Sequence, residues 1–198
     1  ILEAAKKVKI KKFIYVASSS CYGKTKKIPT KETDKIETIN PYSLTKFLGE
    51  ELVIKYAKLY NMPNISFRLF NVYGPRLNTK GKYGAVFSIF LKQKKTNKPL
   101  TIVGNGRQTR DFIHVDDLIN AFFKIMKSNL KNKIYNLGSG KETSINKIVS
   151  LIGGKKIFIP EIPGETKRSC ANISMISNDT NWKPKITISE GIKRLFNN

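Results

Sequence analysis

Tyr42 and Lys46, two side chains that could exchange a proton, lie four residues apart in the segment NPYSLTK. On a helix, side chains at this spacing share one face. Asn40 and Pro41 suit the first turn of that helix, because asparagine is a preferred N-cap and proline at the first helical position gives up no needed hydrogen bond. A tyrosine has an ordinary pKa of about 10, and a neighbouring ammonium favours the phenolate, which can accept a proton. The pair therefore predicts a general acid/base.

Three consecutive serines, Ser18, Ser19 and Ser20, precede this segment at the end of the apolar run FIYVA. A hydroxyl in this position can hydrogen-bond an oxygen that gains or loses a proton. Serine, tyrosine and lysine together form a site that suits hydride chemistry at a carbinol carbon.

The elements that must position these residues follow a β–loop–α–β pattern. Residues 13–17 form a continuous apolar run, which is typical of a strand buried on both faces of a parallel sheet. A polar loop over residues 22–39 leads to the helix of Tyr42, which should end near Asn61. A second strand is predicted over residues 65–70. This order is the building unit of an α/β fold with helical crossovers.

The rest of the chain continues this alternation without an internal repeat or a long linker. Asp116 is a candidate cap for a helix that reaches Ser128 and turns Met126, among other apolar residues, inward. We predict further helices over residues 85–91, 145–152 and 187–196, and strands over residues 100–103 and 134–137. Two interleaved lobes fit this order better than two separate domains.

Charge and cysteine content exclude several classes of protein. The net charge is +23, but 31 of the 37 basic residues are lysines spread along the chain. Arginine is preferred for base and phosphate contacts, so we expect a lysine-coated surface and no nucleic-acid partner. No apolar run approaches the ~20 residues of a membrane span. Two cysteines and one histidine provide no disulfide framework and no metal site, and we expect a cytoplasmic protein.

Read in order, several stretches resemble the extended short-chain dehydrogenase/reductase family of nucleotide-sugar epimerases and dehydratases. They are FIYVASSSCYG, NPYSLTKFLGEEL, SFRLFNVYGPR, TIVGNGRQTRDFIHVDDL, IYNLGSG and NWKPKITISEGIKRL. The resemblance implies an α/β fold: the C-terminal part of a Rossmann-like doubly wound parallel sheet, with a small α/β substrate-binding lobe. It places the NAD-binding domain in residues 1–75 and the substrate lobe mainly in residues 76–198, with residues 111–140 returning to the Rossmann core.

One family feature has no counterpart in these 198 residues. The family opens with a strand and a GxxGxxG turn that holds the dinucleotide pyrophosphate, and this sequence contains no such turn. We therefore interpret the sequence as an N-terminally truncated family member. On its own it should bind NAD poorly and turn over little substrate.

The resemblance also implies a role for particular residues. Ser18, Tyr42 and Lys46 would be catalytic. The NAD cofactor would contact Ala17, Tyr42, Lys46, Phe70 and Val72. The substrate would contact Ser19, Ser20, Asn71, Val86, Arg110 and Glu165. The family usually carries a diphosphate-binding arginine where this chain has Ile162, and Arg168 is a candidate substitute.

The implied reaction is NAD-dependent epimerisation at C4 of a nucleotide-activated sugar, by way of a 4-keto sugar. A UDP-sugar is the favoured substrate, and a homodimer is expected for the full-length protein. The family's dehydratases carry an Asp–Glu pair for elimination where this chain has Ser19 and Ser20, so we favour epimerisation. A dehydratase, a decarboxylase, a reductase or a non-catalytic binding module remain the alternatives.

Overall fold

The structure is a computed structural model that describes residues 1–25, 27–77, 86–162 and 166–196. Its strands are β1 Phe13–Ser18, β2 Asn64–Leu69, β3 Asn71–Tyr73, β4 Leu100–Val103, β5 Thr109–His114, β6 Lys133–Leu137, β7 Glu142–Ser144 and β8 Lys156–Ile159. Its α-helices are α1 Leu2–Lys7, α2 Pro41–Tyr60, α3 Val86–Lys95, α4 Val115–Lys127, α5 Ile145–Ile152, α6 Ser174–Thr180 and α7 Ile188–Phe196. A 3-10 helix, Ser19–Tyr22, follows β1 directly.

The central sheet is parallel, with the strand order β1-β2-β6. Along β2, Ile65 and Phe67 point into a hydrophobic cluster that also contains Ala121 and Ile125 of α4. Because side chains alternate across a strand, Ser66 and Arg68 face the other way, toward α2, where both hydrogen-bond Glu50. Helices therefore cover both faces of the sheet, and the predicted α/β fold with parallel strands is confirmed.

Two smaller sheets extend the molecule beyond β2. In one, β3 pairs in parallel with β5, and β5 pairs antiparallel with β7. In the other, β4 pairs in parallel with β8. Helices α3, α5 and α7 enclose a second hydrophobic cluster against these strands, with Phe87, Phe90, Leu100 and Ile148 fully or almost fully buried. The short β3 continues directly from β2, so one segment of chain links the central sheet to the smaller ones.

Helix α2 begins as its sequence predicts. Asn40 caps it by accepting a hydrogen bond from the Ser43 backbone at 2.9 Å, and the Ser43 hydroxyl completes a capping box. Pro41 occupies the first turn, and Asn61 ends the helix in the left-handed conformation. These local signals give α2 well-defined ends, which places Tyr42 in its first turn.

Helix α4 differs from the prediction in two respects. Its N-cap is His114, whose Nδ1 accepts a hydrogen bond from the Asp116 backbone, whereas Asp116 itself lies in the first turn. Met126, predicted to point inward, is 52% exposed, because the buried stripe of α4 follows Ala121 and Ile125 instead. Within the described ranges, no helix combines the length and apolar character that a membrane span needs.

Candidate active site

An open cleft of about 360 Å³ lies where β1 and β2 end at their carboxyl edges, the usual position of ligand sites in parallel α/β sheets. Its lining includes seven residues that the sequence predicted for the site: Ser18, Ser19, Ser20, Tyr42, Phe70, Asn71 and Arg110. These residues come from β1, the 3-10 helix, α2, the junction of β2 with β3, and β5. The parallel strands β1 and β2 bring them together, since both strands end at the same edge of the sheet.

Ser18 is held in place by the 3-10 helix that it caps. Its Oγ accepts hydrogen bonds from the backbone of Ser20 at 3.2 Å and from the Ser20 hydroxyl at 2.9 Å. With its oxygen occupied by two donors, the Ser18 hydroxyl keeps its own proton for donation. The arrangement suits a hydrogen bond from Ser18 to an oxygen of a bound molecule.

Two tyrosines line the cleft, and their surroundings differ. Tyr42 is 57% exposed. Tyr22 is almost completely buried, and burial raises its pKa, so it remains a neutral phenol. Its hydroxyl donates to Asn136 at 2.8 Å and accepts from Arg68 at 2.9 Å. Of these two tyrosines, Tyr42 alone has a hydroxyl that a ligand could reach.

Lys46 lies one helical turn after Tyr42 and reaches back to β1. Its Nζ donates to the backbone oxygen of Val16 at 3.1 Å, two residues before Ser18. It also sits 5.9 Å from the centre of the Tyr15 ring. Lysine carries three N–H donors, and the structure assigns one of them to Val16. Lys46, a predicted catalytic residue, is not among the residues that line the cleft, and it has donors left for a ligand.

Asn71 and Arg110 meet at the cleft because β3 pairs with β5. The Asn71 side chain donates to the backbone oxygen of Asp111 at 3.2 Å, and Arg110 donates to that of Thr109 at 2.9 Å. The neighbouring Asp111 side chain is fully buried, and burial raises its pKa. It accepts hydrogen bonds from Ser139, Gly140 and Ala171. Asp111 thus ties two loops to the strand that presents Arg110.

Arg168, the candidate substitute for the missing family arginine, also lines the cleft. Its guanidinium forms a two-point ion pair with Glu142, with Nε–Oε1 at 3.0 Å and Nη2–Oε2 at 2.5 Å. This pairing lowers the pKa of Glu142. Glu142 would therefore compete with a bound diphosphate for Arg168. The sequence did not predict this pairing, because β7, which carries Glu142, is only three residues long.

The other predicted contacts lie away from the lining of the cleft. Ala17 is buried in β1, and Val72 is half-buried in β3. Val86 packs against the hydrophobic cluster of the smaller sheets. Glu165 lies outside the described residues. The residues that sequence analysis did not assign to the site include Tyr22, Gly23, Thr166 and Ser169. Tyr22 ends the short 3-10 helix and the other three lie in loops, and in neither does a periodic pattern mark the position of a side chain.

Among the described residues, no group of three or more histidine, cysteine or carboxylate side chains comes together that could hold a metal ion. The lining of the cleft offers hydroxyl, amide and guanidinium groups. These can bind an anionic, hydroxyl-rich molecule and move one proton.

Comparison with known proteins gives a consistent result. The family model described as "NAD dependent epimerase/dehydratase family" matches residues 1–138. A putative UDP-glucose 4-epimerase of Methanocaldococcus jannaschii is 38% identical over all of this chain and 66% of its own length. A UDP-glucuronate 4-epimerase of Thermodesulfobacterium geofontis is 35% identical over all of this chain and 62% of its own length. The chain thus spans slightly less than two thirds of either relative.

Solved structures agree with the sequence matches. A UDP-glucuronic acid 4-epimerase from Bacillus cereus, in complex with UDP-glucuronic acid and NAD, superposes with a TM-score of 0.89 at 33% identity. The match covers 99% of this chain and 63% of that one. A UDP-N-acetylglucosamine 4-epimerase from Methanobrevibacter ruminantium gives a TM-score of 0.92 at 28% identity, over 98% of this chain and 64% of that one. The resemblance read from the sequence motifs is confirmed.

Proposed function

This chain belongs to the NAD dependent epimerase/dehydratase family, and from that premise we propose that it carries the proton-transfer site of an enzyme that inverts C4 of a nucleotide-activated sugar. The observation that carries this proposal is the shared cleft of Ser18, Tyr42, Asn71 and Arg110. It combines a hydroxyl donor, a reachable phenol and a cation beside an amide, which are the groups that a nucleotide sugar needs.

The residues around Lys46 fit the nicotinamide half of NAD. The Lys46 ammonium spends one donor on Val16 and can offer the others to ribose hydroxyls. Ala17, Phe70 and Val72 supply apolar surface at the ends of β1 and β2 and in β3. When bound, NAD supplies the group that accepts and returns the hydride of C4.

The proton chemistry falls to Tyr42, Ser18 and Lys46. The phenolate of Tyr42 takes the proton of the sugar 4-hydroxyl, and the same phenol returns it after the 4-keto sugar has been reduced on its other face. Ser18 donates a hydrogen bond to that oxygen throughout. Lys46, one helical turn along, places a positive charge on the same face of α2 as Tyr42. Over the whole reaction no proton is lost to solvent, and only the configuration at C4 is inverted.

Epimerisation is favoured over elimination because of Ser19 and Ser20. Dehydration needs an acid and a base near C5 and C6 in addition to the proton acceptor at C4. Both serines line the cleft, and neither supplies an ionisable group at neutral pH. Relatives named as 4-epimerases support the same choice, although a human dTDP-D-glucose 4,6-dehydratase is also similar at 28% identity.

We assign the diphosphate of the substrate to Arg110 and Asn71, since a guanidinium can hold phosphate oxygens at two points. Val86 and Glu165 are proposed to contact the nucleotide, and a UDP-sugar is the favoured substrate. Residues 1–75 and 111–140 would form the cofactor-binding part, and the remaining residues the substrate lobe. We further propose a homodimer through α2, where Leu44, Leu48 and Leu52 are 44%, 55% and 52% exposed.

The proposal is tested by a direct assay of the protein that carries this chain. With NAD present, we expect UDP-glucose or a related UDP-hexose to be converted to its C4 epimer, followed by NMR of the anomeric protons. A product formed from the substrate by loss of one water molecule would indicate a dehydratase. Absence of any change across a panel of UDP- and dTDP-sugars would contradict the proposed function.

A further inference from the structure

A buried ion pair joins α2 to the central sheet beneath the cleft. The side chain of Glu50 accepts from Nη2 of Arg68 at 2.6 Å and from its Nε at 3.1 Å. Ser66, two residues before Arg68 on β2, donates to the same carboxylate at 2.8 Å. Glu50 is 1% exposed and Arg68 4% exposed. Sequence analysis assigned no role to either residue.

The pair also reaches the wall of the cleft. Nη1 of Arg68 donates to the hydroxyl of Tyr22 at 2.9 Å and to the backbone oxygen of Glu32 at 3.0 Å. The guanidinium carbon lies 5.0 Å from the centre of the Tyr22 ring. Tyr22 in turn donates to Asn136 of β6. One cation therefore connects helix α2, strands β2 and β6, and a residue that lines the cleft.

Glu50 lies on α2 in line with the two predicted catalytic residues of that helix. Tyr42, Lys46 and Glu50 follow one another at four-residue spacing, so they form one stripe on the face of α2 turned toward β1 and β2. A shift of Glu50 along the helix axis would move Tyr42 and Lys46 by the same amount. We propose that the Glu50–Arg68 pair is a positioning device that sets Tyr42 and Lys46 against Ser18, an inference that rests on the proposed function.

Few apolar contacts hold α2 against the sheet. Its buried residues are Ser43, Glu50, Val53 and Ala57, Phe47 packs partly buried against the cluster of Tyr22 and Phe70, and its leucines at positions 44, 48 and 52 point outward. The Tyr15 hydroxyl adds one hydrogen bond, to the backbone oxygen of Lys46 at 3.2 Å. Hydrophobic contact is not directional, whereas a guanidinium–carboxylate fork has a fixed geometry. Isolated from water, such a pair contributes little net stability compared with apolar residues of the same size. Its value here lies in fixing where α2 sits.

The test replaces both charges together, because removing one would leave the other buried and unpaired. The double variant Glu50→Gln/Arg68→Met keeps similar volume and is expected to fold. Arg68→Lys is the second variant, since a lysine keeps the charge but cannot bridge Glu50 and Tyr22 as the fork does. Tyr56→Phe is the matched control: it removes a 2.7 Å hydrogen bond between α2 and Glu3 on the exposed side.

Two readouts separate positioning from general stability. The first is the rate of reductive methylation of Lys46 relative to the exposed Lys58, measured by peptide mass spectrometry in the folded protein. We expect it to rise several-fold in the double variant, less in Arg68→Lys and not in Tyr56→Phe, because Lys46 loses its fixed approach to Val16. The second is the rate of C4 inversion, where kcat should fall about 100-fold with KM unchanged within about twofold.

The outcomes distinguish a failure of the positioning role from a failure of the proposed function. An unchanged Lys46 methylation rate in a folded double variant, or in a folded Arg68→Lys if the double variant does not fold, overturns the positioning role. A faster methylation rate with unchanged kcat overturns it as well. If the unaltered protein turns over no nucleotide sugar, the proposed function fails, and the methylation rates still decide whether the pair positions Lys46.

Discussion

Tyr42 and Tyr22 line the same cleft, but only the first has the exposure that proton exchange with a ligand requires. Tyr22 is a buried neutral phenol that links Arg68 to Asn136. The residue type alone therefore does not identify the acid/base. What separates the two is that Tyr42 sits in the first turn of a capped helix, whereas Tyr22 ends a 3-10 turn directed into the protein.

Replacing Tyr42 by phenylalanine should remove proton transfer while leaving the cleft intact. We expect kcat for C4 inversion to fall about a thousandfold, because no other described phenol in the cleft is reachable. Binding of the nucleotide sugar, measured by calorimetry, should be preserved. Turnover equal to that of the unaltered protein would remove Tyr42 from the mechanism.

Tyr22→Phe is the matched comparison and should behave differently. It leaves a buried amide and a guanidinium short of one hydrogen bond each, at a cost of about 1–3 kcal/mol in the free energy of unfolding. Urea unfolding followed by the fluorescence of the buried Trp182 provides the measurement. A variant as stable as the unaltered protein would show that this hydroxyl contributes little to the network.

At the scale of elements, α2 shows how far sequence reasoning reaches. Its start, its end and the shared face of Tyr42 and Lys46 were predictable, because caps and four-residue spacing are local properties. The ion pair between Glu50 and Arg68 was not, since it joins residues 18 positions apart whose burial depends on how a helix lies on a sheet. The exposure of Met126 has the same cause. A periodic apolar pattern predicts which face of a helix is buried, but a residue at the edge of that face can lie on either side of the boundary.

The N-cap of α2 should contribute measurably to stability. Asn40→Ala removes the side-chain acceptor for the Ser43 backbone, and we expect it to lower the free energy of unfolding by about 1 kcal/mol. Thr45→Ala, one turn further along and exposed, should change it by less than about 0.5 kcal/mol. Equal effects of the two substitutions in urea unfolding would contradict the assigned cap.

The pairing of Glu142 with Arg168 should make this part of the molecule sensitive to acid. Arg168 lowers the pKa of Glu142 in the folded state, so the pair stabilises the fold fully above the ordinary glutamate pKa of about 4.3. That contribution is lost as the pH falls through the lower folded value. Glu142→Gln should therefore flatten the acid side of the stability–pH curve, read by Trp182 fluorescence. A curve with unchanged slope would show that the pair is not linked to folding.

At the scale of the whole molecule, the sequence motifs identified the family and the fold class because they mark the ends of strands, where several chain segments must meet. The division into a cofactor part and a substrate lobe stays a prediction. So does the contact of Glu165 with the nucleotide, which lies outside the described residues. The predicted contacts of Val72 with NAD and of Val86 with the substrate also stay predictions, because they depend on how the two molecules are bound, which no local sequence pattern determines.

The exposed leucines of α2 lead to a prediction about assembly. Leu48→Asp places a charge in the proposed dimer contact, and we expect it to convert a dimer to a monomer in light-scattering measurements. Ile157→Asp changes a side chain of similar exposure, 47% against 55%, on β8, and should leave the dimer in place. A dimer that survives the Leu48 substitution would exclude this face of α2 as the interface.

The central claim is that Tyr42 exchanges only the hydroxyl proton of the substrate, while the hydrogen on C4 leaves and returns as hydride. Epimerisation in D2O, followed by NMR and mass spectrometry of the product, tests this most directly. The account predicts an inverted C4 that still carries its original protium. Deuterium at C4 of the product would mean that a base removes the carbon-bound proton, and it would contradict the mechanism assigned to Ser18, Tyr42 and Lys46.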